Sequence, residues 1–232
     1  FAGNRGEKAE LRPQGLGSGV IMNQRGHVLT NYHVIADADQ IIVALQDGRV
    51  FSAELVGTDK LTDLAVLYIE SDNLPVIPQD PERLPDVGDV VLAIGNPYNV
   101  GQTITQGIIS ATGRIGLSSM GPDSNGRQDL LQTDAAINEG NSGGALVNGR
   151  GDLVGINTAA YHLNGNQESY GISFAIPYKL AKRIMDELIA NGRVIRGYLG
   201  ISSVEISPIV ARMMNLGDLQ GLVVGSLDPD GP

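Results

Sequence analysis

The chain has 232 residues, 42% of them hydrophobic, which is enough to bury a sizeable core. A net charge of −10 with no Lys/Arg-rich run argues against a nucleic-acid partner. With no cysteine there is no disulfide framework, thiol nucleophile or thiolate metal site, and the redox compartment stays open. No apolar run reaches transmembrane length, no signal peptide is visible, and no motif asks for a metal or cofactor.

The 31 glycines and 11 prolines suit a turn-rich, mostly β protein. Short β-branched runs predict strands at 20–21, 27–30, 40–44, 50–56 and 65–69, with Asp47-Gly48 marking a hairpin. The proline-rich stretch 73–85 predicts a connection. A second strand set follows at 90–94, 103–112, 130–133, 145–147, 153–158 and 172–175. Within it, 116–128 is polar and glycine-rich and reads as a surface loop. One long helix is predicted from Pro177 to Asn191-Gly192, because Leu180, Ile184 and Leu188 form an apolar stripe with Met185 and Ile189. After a short link at 193–197, Ser207-Pro208 opens a brief helix through Met214, and 221–224 reads as a strand.

Chemistry concentrates in Gly140-Asn141-Ser142-Gly143-Gly144, a polar turn between two apolar runs. Its glycines allow a sharp turn and close substrate approach. They also free the amides of Gly140 and Ser142 to point at one spot, as an oxyanion hole requires. Taken alone, an ordinary turn is the commoner reading. Of the 3 histidines, His27 and His162 sit in polar turn-like segments, whereas His33 ends an apolar run. A core-edge histidine bonded to a carbonyl would look the same. Asp63 precedes a wholly apolar strand, where an unpartnered carboxylate is costly, although a turn or capping aspartate fits too. His33, Asp63 and Ser142 follow the chain order of the triad carried on paired β-barrels, and that order turns three weak signals into a strong one.

At these residues the chain resembles the HtrA proteases. Matching motifs include Thr30-Asn31-Tyr32-His33-Val34, Thr62-Asp63-Leu64-Ala65-Val66, Gly17-Ser18-Gly19-Val20, Ala93-Ile94-Gly95-Asn96-Pro97 and Gly107-Ile108-Ile109-Ser110. The likeness runs on through Gly171-Ile172-Ser173-Phe174-Ala175-Ile176-Pro177. It implies a mostly β, chymotrypsin-like double β-barrel protease domain with a C-terminal helix over 1–192. A link and the start of a PDZ domain would follow over 193–232, with Tyr198, Leu199, Gly200 and Ile201 as its carboxylate-binding loop. It also implies a serine endopeptidase in which Ser142 attacks, His33 moves the proton and Asp63 orients the imidazole. Trypsin-like relatives carry an aspartate six residues before the serine, where this chain has Ala136; Asp134 reads as structural. The implied pocket is apolar and takes a small aliphatic P1 residue. Ala136 and Ile137 would line it, with Ile156, Thr158 and Ala160 as a wall and an edge for substrate pairing.

Within the family, 39–49 and 96–105 are similar to the membrane-anchored regulatory branch of envelope-stress signalling. That likeness implies a periplasmic homotrimer, held at the inner membrane by an anchor before Phe1. Its substrate would be a membrane-bound regulatory protein of the anti-sigma-factor type, and C-terminal peptides of outer-membrane proteins would activate it at the PDZ domain. Tyr98, Arg114, Gln132 and Asn138 match positions of the activation relay. Glu139 stands where relatives have histidine or arginine, and 116–128 is longer than expected. Two alternatives remain. A soluble protease–chaperone would carry a long early insertion, for which only about residues 3–15 are available. A catalytically silent scaffold would have lost a member of the triad.

Overall fold

The computed structural model describes residues 17–96, 101–114, 129–138, 140–160, 171–206, 208–213, 215–216, 221–229 and 231. Tyr98, Glu139, His162 and the segment 116–128 lie outside them. The chain divides into two compact units, one ending at Val194 and the other beginning at Ile195. The sequence boundary at 192 falls two residues earlier, at the end of the long helix.

The first unit opens with β1 (Val20–Ile21), β2 (His27–Asn31), β3 (Ile41–Ala44), β4 (Val50–Asp59) and β5 (Leu64–Tyr68), in the spatial order β1-β2-β5-β4-β3. All pairs are antiparallel. β5 is central, and its Leu64-Ala65-Val66-Leu67 run is buried throughout because both faces are covered. Leu67 faces a local core with Val28, Ile69 and Leu74. Leu64 and Val66 face the other way, into the core shared with the rest of the unit. This alternation is the two-residue period of a strand. At the β3–β4 hairpin Gly48 has φ +90°, and the Asp47 carboxylate accepts the Arg49 amide at 3.0 Å, so the Asp-Gly signal is realised.

The second strand set contains β6 (Val90–Gly95), β7 (Thr103–Arg114), β8 (Leu130–Thr133), β9 (Ala145–Asn148), β10 (Leu153–Ala160) and β11 (Ser173–Pro177). It closes into a barrel in the order β10-β11-β8-β7-β6-β9. Neighbouring residues again alternate between two cores. Leu131, Leu146 and Ala175 join Val91, Ala93 and Ile109 in one. Leu130, Val147 and Phe174 face the other, together with Leu29, Leu64 and Val66 of the first sheet. That shared core makes the two sheets a single body. The architecture is mostly β, as expected; the second strand set closes into a barrel, whereas the described strands of the first form a five-stranded sheet rather than a closed barrel.

Helix α2 (Tyr178–Asn191) covers the shared core with Tyr178, Ala181, Ile184, Met185 and Leu188. Pro177 precedes it, and Gly192 ends it in the left-handed region at φ +69°, its N–H on the Leu188 carbonyl at 2.9 Å. The helix end packs on β4 at Gly57, where a Cβ would lie 2.7 Å from the Gly192 oxygen. One short helix was not foreseen: α1 (Tyr32–Ile35) carries His33, which the sequence placed at a strand end. The ladder of β2 on β5 stops at Asn31↔Leu64 because Asp63 turns away. Asp63 has φ +54°, and its carbonyl takes the Tyr32 N–H at 3.0 Å.

The second unit is strand–helix–strand. β12 (Ile201–Glu205) pairs antiparallel with β13 (Leu222–Leu227), and α3 (Pro208–Met213) lies between them in sequence. Gly200 accepts the Asp228 amide at 2.7 Å, and the Tyr198 hydroxyl donates to the Asp228 carboxylate.

Leu188 is the test of the shared core. It is fully buried on α2. Leu188→Ala is expected to lower stability by about 2–5 kcal/mol, read as a loss of unfolding free energy in urea. A change below about 0.5 kcal/mol would mean that α2 does not hold the sheets together.

Candidate active site

The tight turn at Asp63 builds one half of the site. Its carbonyl also accepts the Asn31 side-chain amide at 2.9 Å, so the turn is held from below by a fully buried residue. The carboxylate faces α1. Oδ1 accepts the His33 backbone N–H at 3.0 Å and Oδ2 meets the imidazole Nδ1 at 2.7 Å. Asp63 therefore sets both the backbone and the ring of His33. With Nδ1 donating to the carboxylate, Nε2 is the nitrogen left to accept a proton. The Asp63 side chain is 14% exposed and that of His33 50%, so the carboxylate lies behind an imidazole open to solvent.

The other half belongs to the barrel. Gly143 donates to the Asn157 carbonyl at 2.8 Å, and Asn157 donates to Gly144 at 2.9 Å, which docks the Ser142 turn on β10. Between Asn157 and Ala159 the pairing of β10 with β11 slips, leaving Thr158 in an irregularity of the ladder. Thr158 uses that freedom twice. Its hydroxyl donates to Asp63 Oδ2 at 2.9 Å, and its carbonyl accepts the Ser142 hydroxyl at 3.1 Å. His33, Asp63 and Ser142 thus gather around Thr158. Ser142 points its hydrogen at Thr158 rather than at His33 in this conformation. Gly140 has φ +95°, and the turn is closed by Asn141 N–H on the Asn138 carbonyl at 3.0 Å. Among the described residues neither the Gly140 nor the Ser142 amide donates to an acceptor, which leaves both open to an incoming oxyanion there.

A family model described as a trypsin-like peptidase domain matches residues 17–156. The chain is 61% identical over 231 residues to the serine endoprotease DegS of Escherichia coli strain K12, covering 99% of this chain and 64% of that protein. It is 45% identical over 219 residues to the periplasmic pH-dependent serine endoprotease DegQ of the same strain, covering 93% of this chain and 46% of DegQ. The solved structure of the HtrA-type protease AlgW with a tripeptide matches with a TM-score of 0.83 at 53% identity, covering 94% of this chain and 70% of that one. The chain belongs to the HtrA family of trypsin-like serine peptidases. It spans about 64% of the length of the DegS relative.

Against that HtrA framework the remaining sequence-derived residues fall unevenly. Ala136 is exposed at the surface, and its carbonyl is fixed by the Thr105 hydroxyl at 2.7 Å. Asp134 is structural: Oδ1 accepts the Ile108 amide at 2.7 Å. Ile137 is 1% exposed and Ile156 fully buried, each inside an apolar core, so a substrate would meet their backbones rather than their side chains. Thr158 likewise turns its side chain to Asp63 and leaves its backbone to face the cleft. Ala160 pairs with Ser173 on β11. Beyond Ile156 no strand of the described residues pairs with the other side of β10. Of the relay residues, Arg114 Nε donates to Gln132 Oε1 at 3.0 Å, Asn138 is exposed, and Tyr98 lies outside the described residues. The bond of Thr158 to Asp63 was not read from the sequence, because the two residues lie 95 apart in the chain.

Thr158→Val keeps the shape and the backbone carbonyl but removes the donor to Asp63. A hydrogen bond to a charged group is worth about 1.5–3 kcal/mol, so peptide hydrolysis is expected to fall by about 10–100-fold. Thr158→Ser is expected to retain most of the rate. Equal kcat/KM for Thr158→Val and the unsubstituted protein would show that Asp63 does not need this donor.

Proposed function

We propose that this chain is the peptidase part of a DegS-like serine endoprotease. The observation that carries the reading is the Asp63–His33 bond, joined through Thr158 to Ser142, beside two amides that have no acceptor among the described residues. In the reaction, Ser142 Oγ leaves the Thr158 carbonyl and turns to His33 Nε2. Oγ attacks the scissile carbonyl while its proton passes to Nε2. The oxyanion is held by the amides of Gly140 and Ser142. His33 then delivers the proton to the leaving amine, and the acyl-serine forms. Water, deprotonated by the same nitrogen, hydrolyses the ester and restores Ser142. Throughout, Asp63 keeps Nδ1 protonated and stabilises the imidazolium.

The substrate is an extended peptide that pairs with β10 near Thr158 and Ala160, along the edge that no strand of the described residues occupies. With Ala136 in place of a charged base, and Asp134 committed to Ile108, the pocket suits a small aliphatic P1 residue. The greater identity to DegS than to the periplasmic serine endoprotease DegP of the same strain, 61% against 41%, supports the regulatory reading over that of a soluble protease–chaperone. On that reading the natural substrate is a membrane-bound regulatory protein of the anti-sigma-factor type. The enzyme works as a periplasmic homotrimer anchored at the inner membrane by a segment outside this chain. No helix of the described residues is long and apolar enough to cross a membrane. C-terminal peptides bind a PDZ domain to which Tyr198, Leu199, Gly200 and Ile201 contribute, and their signal reaches the Ser142 loop through Tyr98, Arg114, Gln132 and Asn138.

Ser142→Ala and His33→Ala are each expected to lower hydrolysis of a peptide library by about 10⁶-fold, with little further loss in the double variant, because the three groups act as a unit. In the same library the unsubstituted protein should cut after Val or Ala in preference to Lys or Arg. Near-normal turnover by Ser142→Ala, or a dominant basic P1 preference, would overturn the corresponding part of the reading.

Arg114→Ala tests the relay. It removes the bond to Gln132 and is expected to lower peptide-stimulated hydrolysis by the full-length protein, while a tight active-site ligand partly restores the active form. Unchanged basal and stimulated rates would remove Arg114 from the relay.

A further inference from the structure

Ser18 stands just before β1, and each of its polar atoms is committed. Its hydroxyl donates to the Gly140 carbonyl at 2.7 Å and accepts the Asn96 N–H at 2.9 Å. Its backbone N–H donates to the Ser142 carbonyl at 2.9 Å. Its carbonyl accepts the Thr30 hydroxyl at 2.7 Å. One residue of the first sheet therefore holds the Ser142 loop at two carbonyls and ties it to the end of β6.

The contact with Gly140 bears on the oxyanion. The peptide unit joining Gly140 to Asn141 is held at its carbonyl by Ser18 and at its N–H by the Asn138 carbonyl at 3.0 Å. Pinned at both ends, this plane cannot rotate. The amides of Gly140 and Ser142 belong to the peptide units on either side of it, so their directions follow from its orientation. In a glycine-containing turn a peptide flip meets little steric resistance, and a directional hydrogen bond must oppose it.

We propose that Ser18 is a positioning residue for the oxyanion hole. It acts through the Gly140 carbonyl and couples that carbonyl to the backbone at Asn96. Ser18 itself touches no reacting atom. The inference rests on the roles given above to Ser142 and Gly140. An oxyanion exists only in the tetrahedral state, so a misdirected amide weakens binding of the transition state and not of the substrate. The cost therefore falls on kcat and leaves KM nearly unchanged.

The test uses Ser18→Ala, which deletes the hydroxyl, and Ser18→Thr, which keeps it. Ser18→Ala is expected to lower kcat by about tenfold, less than the 10²–10³ lost with an oxyanion donor itself, with KM within about twofold. Ser18→Thr is expected to regain most of that loss. A peptide boronic acid, which forms a tetrahedral adduct at the serine, should lose affinity for Ser18→Ala by the same factor as kcat, while the matching peptide amide should not. Thermal melting reports folding, and if Ser18→Ala does not fold, Ser18→Cys takes its place as a weaker donor of similar size. Wild-type kcat in the folded Ala or Cys variant would overturn the inference. So would equal losses in the Ala and Thr variants, or a loss confined to KM with boronate affinity intact. Labelling of the unsubstituted protein at Ser142 by a diphenyl phosphonate separates the two levels. No labelling overturns the peptidase reading and this inference together, whereas labelling with unchanged Ser18→Ala kinetics overturns this inference alone.

Discussion

The hydrogen bond from the Thr158 hydroxyl to Asp63 Oδ2, 2.9 Å long, crosses from the barrel to the first sheet, and the site has meaning only while those two strand sets hold that register. His33 and Asp63 are supplied by one, Ser142 and Thr158 by the other. Two kinds of force act across the boundary. The shared core buries side chains from both sheets and from α2, each contributing about 1.5–3 kcal/mol. The crossing hydrogen bonds contribute a net 0.5–1.5 kcal/mol apiece when neutral. Apolar burial therefore supplies the adhesion, but it is non-directional and would tolerate a small slide. The bonds through Thr158 and Ser18 are few, so even with the charged Thr158–Asp63 pair their sum is small beside that of the core, but they are directional. Adhesion and alignment thus have separate origins, which is why a few contacts of low energy decide the geometry of the chemistry.

Alignment in turn dictates the sequence of the Ser142 loop. At Gly143, where φ is +81°, a Cβ would stand 2.2 Å from the Ser18 carbonyl and 2.3 Å from the Thr30 hydroxyl. No L side chain fits there, by conformation or by space. The absence of a side chain lets the first sheet approach the Ser142 backbone, and that approach allows Ser18 to bond to Ser142 and Gly140. Asn141 sits between them, 1% exposed, and its side-chain amide has no hydrogen-bond partner among the described residues. Unsatisfied polar groups cluster at working sites more than elsewhere because function, not stability, selects the conformation.

What the sequence made legible and what it concealed divide along the same physical line. Strands such as β5 and the helix α2 were visible because their periods of burial are local properties. The Gly-Asn-Ser-Gly-Gly turn, the apolar run ending at His33 and the isolated carboxylate of Asp63 were visible because residue types rarely occur so without cause. The four residues of α1 were not, since a single turn of helix has almost no intrinsic stability and exists here because Asp63 captures the Tyr32 and His33 amides. Thr158 and Ser18 were hidden for a related reason. A hydroxyl's partner is fixed by tertiary contact, and in the sequence both residues look like ordinary members of a strand and a turn. Ile137 and Ile156, expected beside the pocket, turn their side chains into apolar cores, a consequence of packing that the sequence does not display.

The resting position of the Ser142 hydroxyl shows how finely such a site is balanced. A hydroxyl has one hydrogen to donate, and here it goes to the Thr158 carbonyl. Moving it to His33 exchanges one neutral hydrogen bond for another, a difference of about 1 kcal/mol or less by the usual net values. A two-state equilibrium so nearly level responds strongly to small inputs, since each 1.4 kcal/mol changes the ratio about tenfold. The bonds of Ser18 to Gly140 and of Arg114 to Gln132 are of that size. On the proposed reading, neither needs to touch a substrate to govern the rate. A loop seated on a strong core but oriented by weak bonds can be regulated from outside without endangering the fold, and the division of labour between burial and hydrogen bonding in this unit provides that condition.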